Sequence, residues 1–113
     1  MLPGYLELKQ VSPGTYEVLW KLPVTQGNRL PLAPRFPTGC DLRGDLKSEI
    51  EQTAWIYRGT LSCDPPLDGQ QLSIDGLASV GTDVLVRYLS SDEDSLQTAL
   101  LTSDASSMMI RRS

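Results

Sequence analysis

Apolar and polar residues alternate with a period of two along much of this chain, the signature of half-buried β-strands. In residues 4–10, Leu6 and Leu8 alternate with Tyr5, Glu7 and Lys9. Ser12-Pro13-Gly14-Thr15 follows. There proline presets φ at the second turn position and glycine accepts a positive φ at the third. The alternation then resumes, with Tyr16, Val18, Trp20 and Leu22 on one face and Glu17, Leu19 and Lys21 on the other. This pattern predicts a β-hairpin over residues 4–22.

Residues 23–39 break the rhythm. Pro23, Pro31, Pro34 and Pro37 cannot donate to a ladder. A long connection is expected here, with one short edge strand at residues 30–33. Residues 38–42 read as another short strand carrying Cys40, and residues 44–52 (GDLKSEIEQ) as a helical turn. Residues 53–63 form a clear strand with Trp55, Tyr57, Leu61 and Cys63 on one parity. Residues 71–75 place Leu72 and Ile74 inward, and Gly76 and Gly81 bound the next connection. Residues 82–89 and 96–102 read as a second hairpin. Its first strand sends Val84, Val86 and Tyr88 to the core, its second Leu96 and Leu100. Roughly seven to eight short strands and almost no helix predict an all-β, two-sheet antiparallel β-sandwich of immunoglobulin-like kind. That domain spans residues 1–103, and residues 104–113 read as a C-terminal tail.

Charge narrows the choice of partners. A net charge of −4 and a pI near 4.6 exclude the basic footprint that nucleic acid or anionic lipid requires. No apolar run reaches the roughly 18–20 residues that span a bilayer, so this segment is not expected to be membrane-embedded. Met1 is followed directly by Leu2-Pro3-Gly4-Tyr5, without a basic region or an apolar leader. Either the protein is cytoplasmic, or this segment begins just after a leader that has been removed.

The chain contains no histidine. Ser-His-Asp and Cys-His catalysis are thereby excluded, along with the commonest transition-metal ligand, so no cofactor and no metal ligand is assigned. Cys40 and Cys63 are too few for a structural zinc site. They would form one disulfide if the protein matures outside the cytoplasm; two buried free thiols are the alternative.

Candidate chemistry beyond this is sparse. Ser91-Asp92-Glu93-Asp94 gathers carboxylates but lacks the spacing and glycine of a calcium loop, which favours a solvated hairpin loop. Asp68, Asp75 and Asp83 would serve as acid/base carboxylates only if folded together, and turn positions favour aspartate anyway. No catalytic residue is assigned. Trp20, Trp55 and Tyr57 are candidates for an aromatic ligand platform, although their in-phase spacing also suits a core. Arg35 and Arg43, near Cys40, would contact an anionic partner or simply face water.

Several segments taken together resemble the N-terminal extracytoplasmic domain of HupE/UreJ-type bacterial membrane proteins. They are Leu2-Pro3-Gly4-Tyr5-Leu6-Glu7-Leu8, Tyr16-Glu17-Val18-Leu19-Trp20-Lys21-Leu22-Pro23, and the cysteine after the proline-rich stretch. The Trp55…Cys63 strand, Ile74-Asp75-Gly76-Leu77 and Thr82-Asp83-Val84-Leu85-Val86-Arg87 continue the match in order. The resemblance implies a leader before the domain and a polytopic membrane region after residues 104–113. It also implies a role beside nickel or cobalt uptake, with transport belonging to the membrane region. The expectation is therefore a non-catalytic periplasmic or extracytoplasmic interaction domain, tethered to the membrane in the full-length protein. Its partner would be that membrane region or another protein. A free-standing secreted domain that binds sugar or peptide is the alternative.

Overall fold

The computed structural model describes residues 3–25, 28–51, 54–91 and 95–112. The first strands follow the alternation directly. β1 (Gly4–Ser12) and β2 (Thr15–Thr25) pair antiparallel, with Leu6 opposite Trp20 and Leu8 opposite Val18. Leu6, Leu8, Tyr16, Val18, Trp20 and Leu22 are all buried, so one parity of the hairpin forms the floor of the core. Gly14 occupies the turn at φ 79°, a left-handed conformation that a residue with a Cβ adopts only under strain.

β2 runs on through Pro23 and pairs with the two-residue β3 (Asn28–Arg29). β4 (Ala33–Arg35) is the short strand of the proline-rich stretch, shifted toward the C-terminus from the expected residues 30–33. β5 (Cys40–Glu51) replaces both the short strand and the helical turn expected of residues 38–52. It pairs with β6 (Ala54–Cys63) and carries a register shift between Arg43 and Lys47. Cross-strand pairing to β6 overrides the local helical preference of this segment.

β7 (Gln71–Asp75), a 3₁₀ turn at Leu77–Ser79, β8 (Val84–Leu89) and β9 (Leu96–Leu101) follow. The chain then returns as β10 (Ser107–Met109), antiparallel to β7. Met108 and Ile110 are buried, so the residues read as a tail from position 104 onward close the core instead.

Two sheets result, and the fold is an all-β sandwich. The larger has the order β5-β6-β2-β1-β8-β9, with β3 beside β2; the smaller is β10-β7-β4. The β1–β8 pairing is parallel, with Leu6 opposite Val86. All other pairings of the described strands are antiparallel. Leu72 and Ile74 of β7, Met108 and Ile110 lie over Leu6, Leu8, Val84 and Val86 in one continuous cluster.

One expected core assignment is reversed. Leu96 and Leu100 are exposed, at 47% and 54%. The β8–β9 register places Leu100 opposite Leu85 and Leu101 opposite Val84, so Leu101 is the buried member of the strand. A shift of one residue in parity moves every side chain of a strand to the other face.

Candidate functional site

The smaller sheet covers only part of the larger one. Its outer strand β4 pairs with β7 through Ala33–Asp75, Pro34–Ile74 and Arg35–Ser73. Ile74 donates its N–H to Ser106 O, away from β4, so the Pro34–Ile74 pair exchanges no backbone bonds. Pro34 therefore lacks its N–H on the free edge, where no further strand needs it, and it blocks extension of the small sheet. Beyond it, no strand among the described residues lies above the inner face of β2 and β6.

What remains is an apolar cleft of about 560 Å³. Its floor is Val18, Trp20 and Leu22 of β2 with Tyr57 of β6, and Trp20 stands directly opposite Tyr57. Leu30, Leu32 and Phe36 form one wall, and Leu42 of β5 forms the lip. Gly76 closes one end at φ 87°, where the backbone passes against Pro31. A Cβ at that position would press on Pro31 O. The only charged residue among those lining the cleft is Asp75, held at the rim by Arg35 with Nη2 2.8 Å from Oδ2.

The three residues proposed as an aromatic platform separate. Trp20 and Tyr57 line the cleft together, Trp20 almost wholly buried and Tyr57 half-buried. Trp55 lies two pairs further along, opposite Leu22, packed against the core and absent from the lining. Its Nε1 is buried and finds no acceptor among the described residues. The cleft residues that sequence reasoning missed, Leu30, Phe36 and Leu42, gave no periodic signal because they lie on the irregular stretch and at the start of β5.

The remaining candidates fall elsewhere. Arg43 pairs with Asp41, Nε to Oδ2 at 2.9 Å. Asp83 is exposed ahead of β8. Asp68 lies near the phenols of Tyr16 and Tyr88, where its charge adds to burial in raising both. Asp92, Glu93 and Asp94 lie outside the described residues. Among the described residues no three of His, Cys, Asp and Glu gather at a common point.

Under the closed part of the sandwich sits a polar pair. Leu67 donates its backbone N–H to Tyr16 Oη at 2.9 Å, and the Tyr16 and Tyr88 rings lie 6.1 Å apart. Burial pushes both phenols above their usual range, Tyr88 strongly so.

Cys40 and Cys63 form a disulfide between directly opposed residues of β5 and β6. Cys40 N–H donates to Pro37 O and Cys63 N–H to Gly14 O, so neither amide is spent across the pair. Opposed residues of that type bring their side chains closest together. Such a bridge forms and persists in an oxidising compartment, the setting of an extracytoplasmic domain. No described helix is long and apolar enough to cross a membrane.

The fold and the site together define a disulfide-bonded β-sandwich with a concave apolar surface at its open end. No family model matches the chain, and no curated protein matches it.

Proposed function

We propose that this chain is a non-catalytic extracytoplasmic binding domain that receives an apolar group of its partner in the cleft over Trp20 and Tyr57. The observation that carries this reading is the cleft itself. Its volume of about 560 Å³ lies within the range of about 300–1,000 Å³ common to binding pockets. Its lining is mainly aromatic and aliphatic, and its one charged member, Asp75, is paired with Arg35 at the rim. A buried Trp20 offers little open ring to a sugar, so the lining favours an apolar side chain or acyl group.

The partner we propose is the membrane region of a HupE/UreJ-like protein, for which this domain would serve as the extracytoplasmic part of a permease-type transporter. The ordered motif resemblance and the disulfide support that assignment. A free-standing secreted domain binding a peptide through the same cleft is the second reading, and the apolar lining favours peptide over sugar within it.

Two measurements test the proposal. Titration with an anilinonaphthalene sulfonate dye should give saturable one-site binding to the folded protein. Leu42→Glu, at the half-exposed lip, should abolish it while shifting stability by less than about 0.5 kcal/mol. Dye binding that is absent, or indifferent to Leu42→Glu, would count against the cleft. The reading frame of the native gene tests the tether. A downstream series of apolar spans of about 20 residues supports it, and a stop codon close behind residue 113 removes it.

A further inference from the structure

Exposed sheet edges invite strand addition, and folded proteins blunt them with proline, charge or brevity. Among the described residues, three of the four strands that end the two sheet orders follow that rule. β4 carries Pro34 on its free side. β10 is only three residues long. β5, with the sequence CDLRGDLKSEIE, is rich in charge. β9, the far edge of the larger sheet, has none of these protections: its sequence is LQTALL, without charge, proline or glycine.

The direction of the β9 backbone follows from two bonds. Ser90 N–H donates to Ser95 O at 3.1 Å, which makes residues 90 and 95 a bonded pair at the head of the hairpin. Thr102 N–H donates to Ala105 O at 3.1 Å, away from β8. Between them Gln97, Ala99 and Leu101 turn their amides and carbonyls toward β8, as alternation in an antiparallel pair requires. Leu96, Thr98 and Leu100 point theirs outward, and among the described strands none pairs on that side. The same three residues are exposed, and their side chains share the outer face of the sheet. The C-terminal segment does not occupy the edge. It is tied instead to the side chain of Gln97, whose amide donates to Met109 O at 2.8 Å and accepts from Arg111 N–H at 2.9 Å.

We propose that β9 is an association edge to which a second copy of this chain adds antiparallel, joining two larger sheets across a two-fold axis at Thr98. The strand is self-complementary in that register. Leu96 stands opposite Leu100 of the partner subunit, and Thr98 opposite Thr98 of the partner subunit. Each of the three outward residues donates its N–H to its opposite number and accepts in return. Leucine–leucine and threonine–threonine cross-strand pairs are favourable, and no charge meets a like charge because β9 carries none. Both subunits present the same surface, so the contact closes at two copies.

Sedimentation velocity over a range of loading concentrations tests the proposal. The wild-type chain should show a monomer–dimer equilibrium, and Thr98→Pro should be monomeric at every loading. Thr98 N–H points away from β8, so this substitution removes a donor from the outer edge and none from the β8–β9 ladder. Leu96→Glu with Leu100→Glu, which opposes carboxylates across the axis, should also be monomeric. Leu85→Lys, on the same outer face but one strand inward, should leave dimerisation unchanged. Hydrogen exchange supplies a second reading: the Thr98 amide should gain protection at least tenfold as concentration rises through the dimer range. A wild-type chain that stays monomeric at every concentration overturns the proposal. So does a dimer that survives Thr98→Pro, or one that Leu85→Lys dissociates.

Discussion

The two halves of the sandwich share a floor and differ in their roof. Over β1, β8 and β9 the small sheet brings Leu72, Met108 and Ile110 down onto Leu6, Leu8 and Val86, and the facing side chains are all buried. Over β2 and β6 the roof is the irregular stretch around Leu30, Leu32 and Phe36, and a cleft stays open above Trp20 and Tyr57. The difference turns on one residue type. Hydrogen bonding extends the small sheet until Pro34 ends it, and apolar floor beyond that point is left for something else to cover. A binding surface can thus arise where a sheet stops short, with no departure from ordinary strand patterning in its floor.

The contrast predicts unequal costs for substitutions. The largest should come from Leu8→Ala in the closed half, where neighbours on both faces prevent collapse: about 3–4 kcal/mol of lost stability in denaturant unfolding. A loss below about 1 kcal/mol would show that the closed half is loosely packed. Replacing both cysteines by serine should cost about 3 kcal/mol on the chain-entropy view of the loop they close. That loop carries β5 and the lip of the cleft, so dye binding should weaken along with stability.

Tyr16→Phe should cost about 1–2 kcal/mol by leaving Leu67 N–H without its acceptor. It should also alter the alkaline limb of the stability curve. Burial holds the Tyr16 and Tyr88 phenols above their ordinary value near 10 in the folded state. Their contribution is therefore complete below about pH 10 and is lost as pH rises beyond it, because the unfolded chain ionises first. The Tyr16→Phe protein should lose stability less steeply above pH 10 than the wild type, measured by denaturant midpoints across that range. The smallest effect belongs to the open half: Leu42→Glu should shift stability by less than about 0.5 kcal/mol while removing the dye site.

Legibility in the sequence followed strict parity, not that division. The β1–β2 hairpin, β7 and the inward residues of β8 were readable because each buries one parity without interruption, in the open half as in the closed. β9 misled because LQTALL offers leucine on both parities, and only the register with β8 chooses Leu101 over Leu96 and Leu100. β5 looked helical through Leu46 and Ile50, four residues apart among Lys and Glu, and its register shift breaks any period of two. β10 was missed for want of length: a three-residue strand has no period, and its pairing partner lies more than thirty residues earlier. Of the candidate site, Trp20 and Tyr57 were visible from their spacing. The cleft above them was not, since it depends on where the opposite sheet ends.

The amino-terminal strand is the middle of the larger sheet, held by β2 on one side and by β8 on the other. Its ladder with β2 closes within a few residues, whereas its parallel ladder joins Gly4 to Val84 across most of the chain. A contact of such high sequence separation carries a large closure entropy and slows folding relative to chains of local topology. The β1–β2 hairpin is local and needs no distant partner, so it can form while its apolar face is still uncovered. Completion waits for β8, and then for β10 to return and seal the core. Until Met108 and Ile110 are in place the smaller sheet lacks β10, and the apolar face of β1 and β8 stays uncovered on that side.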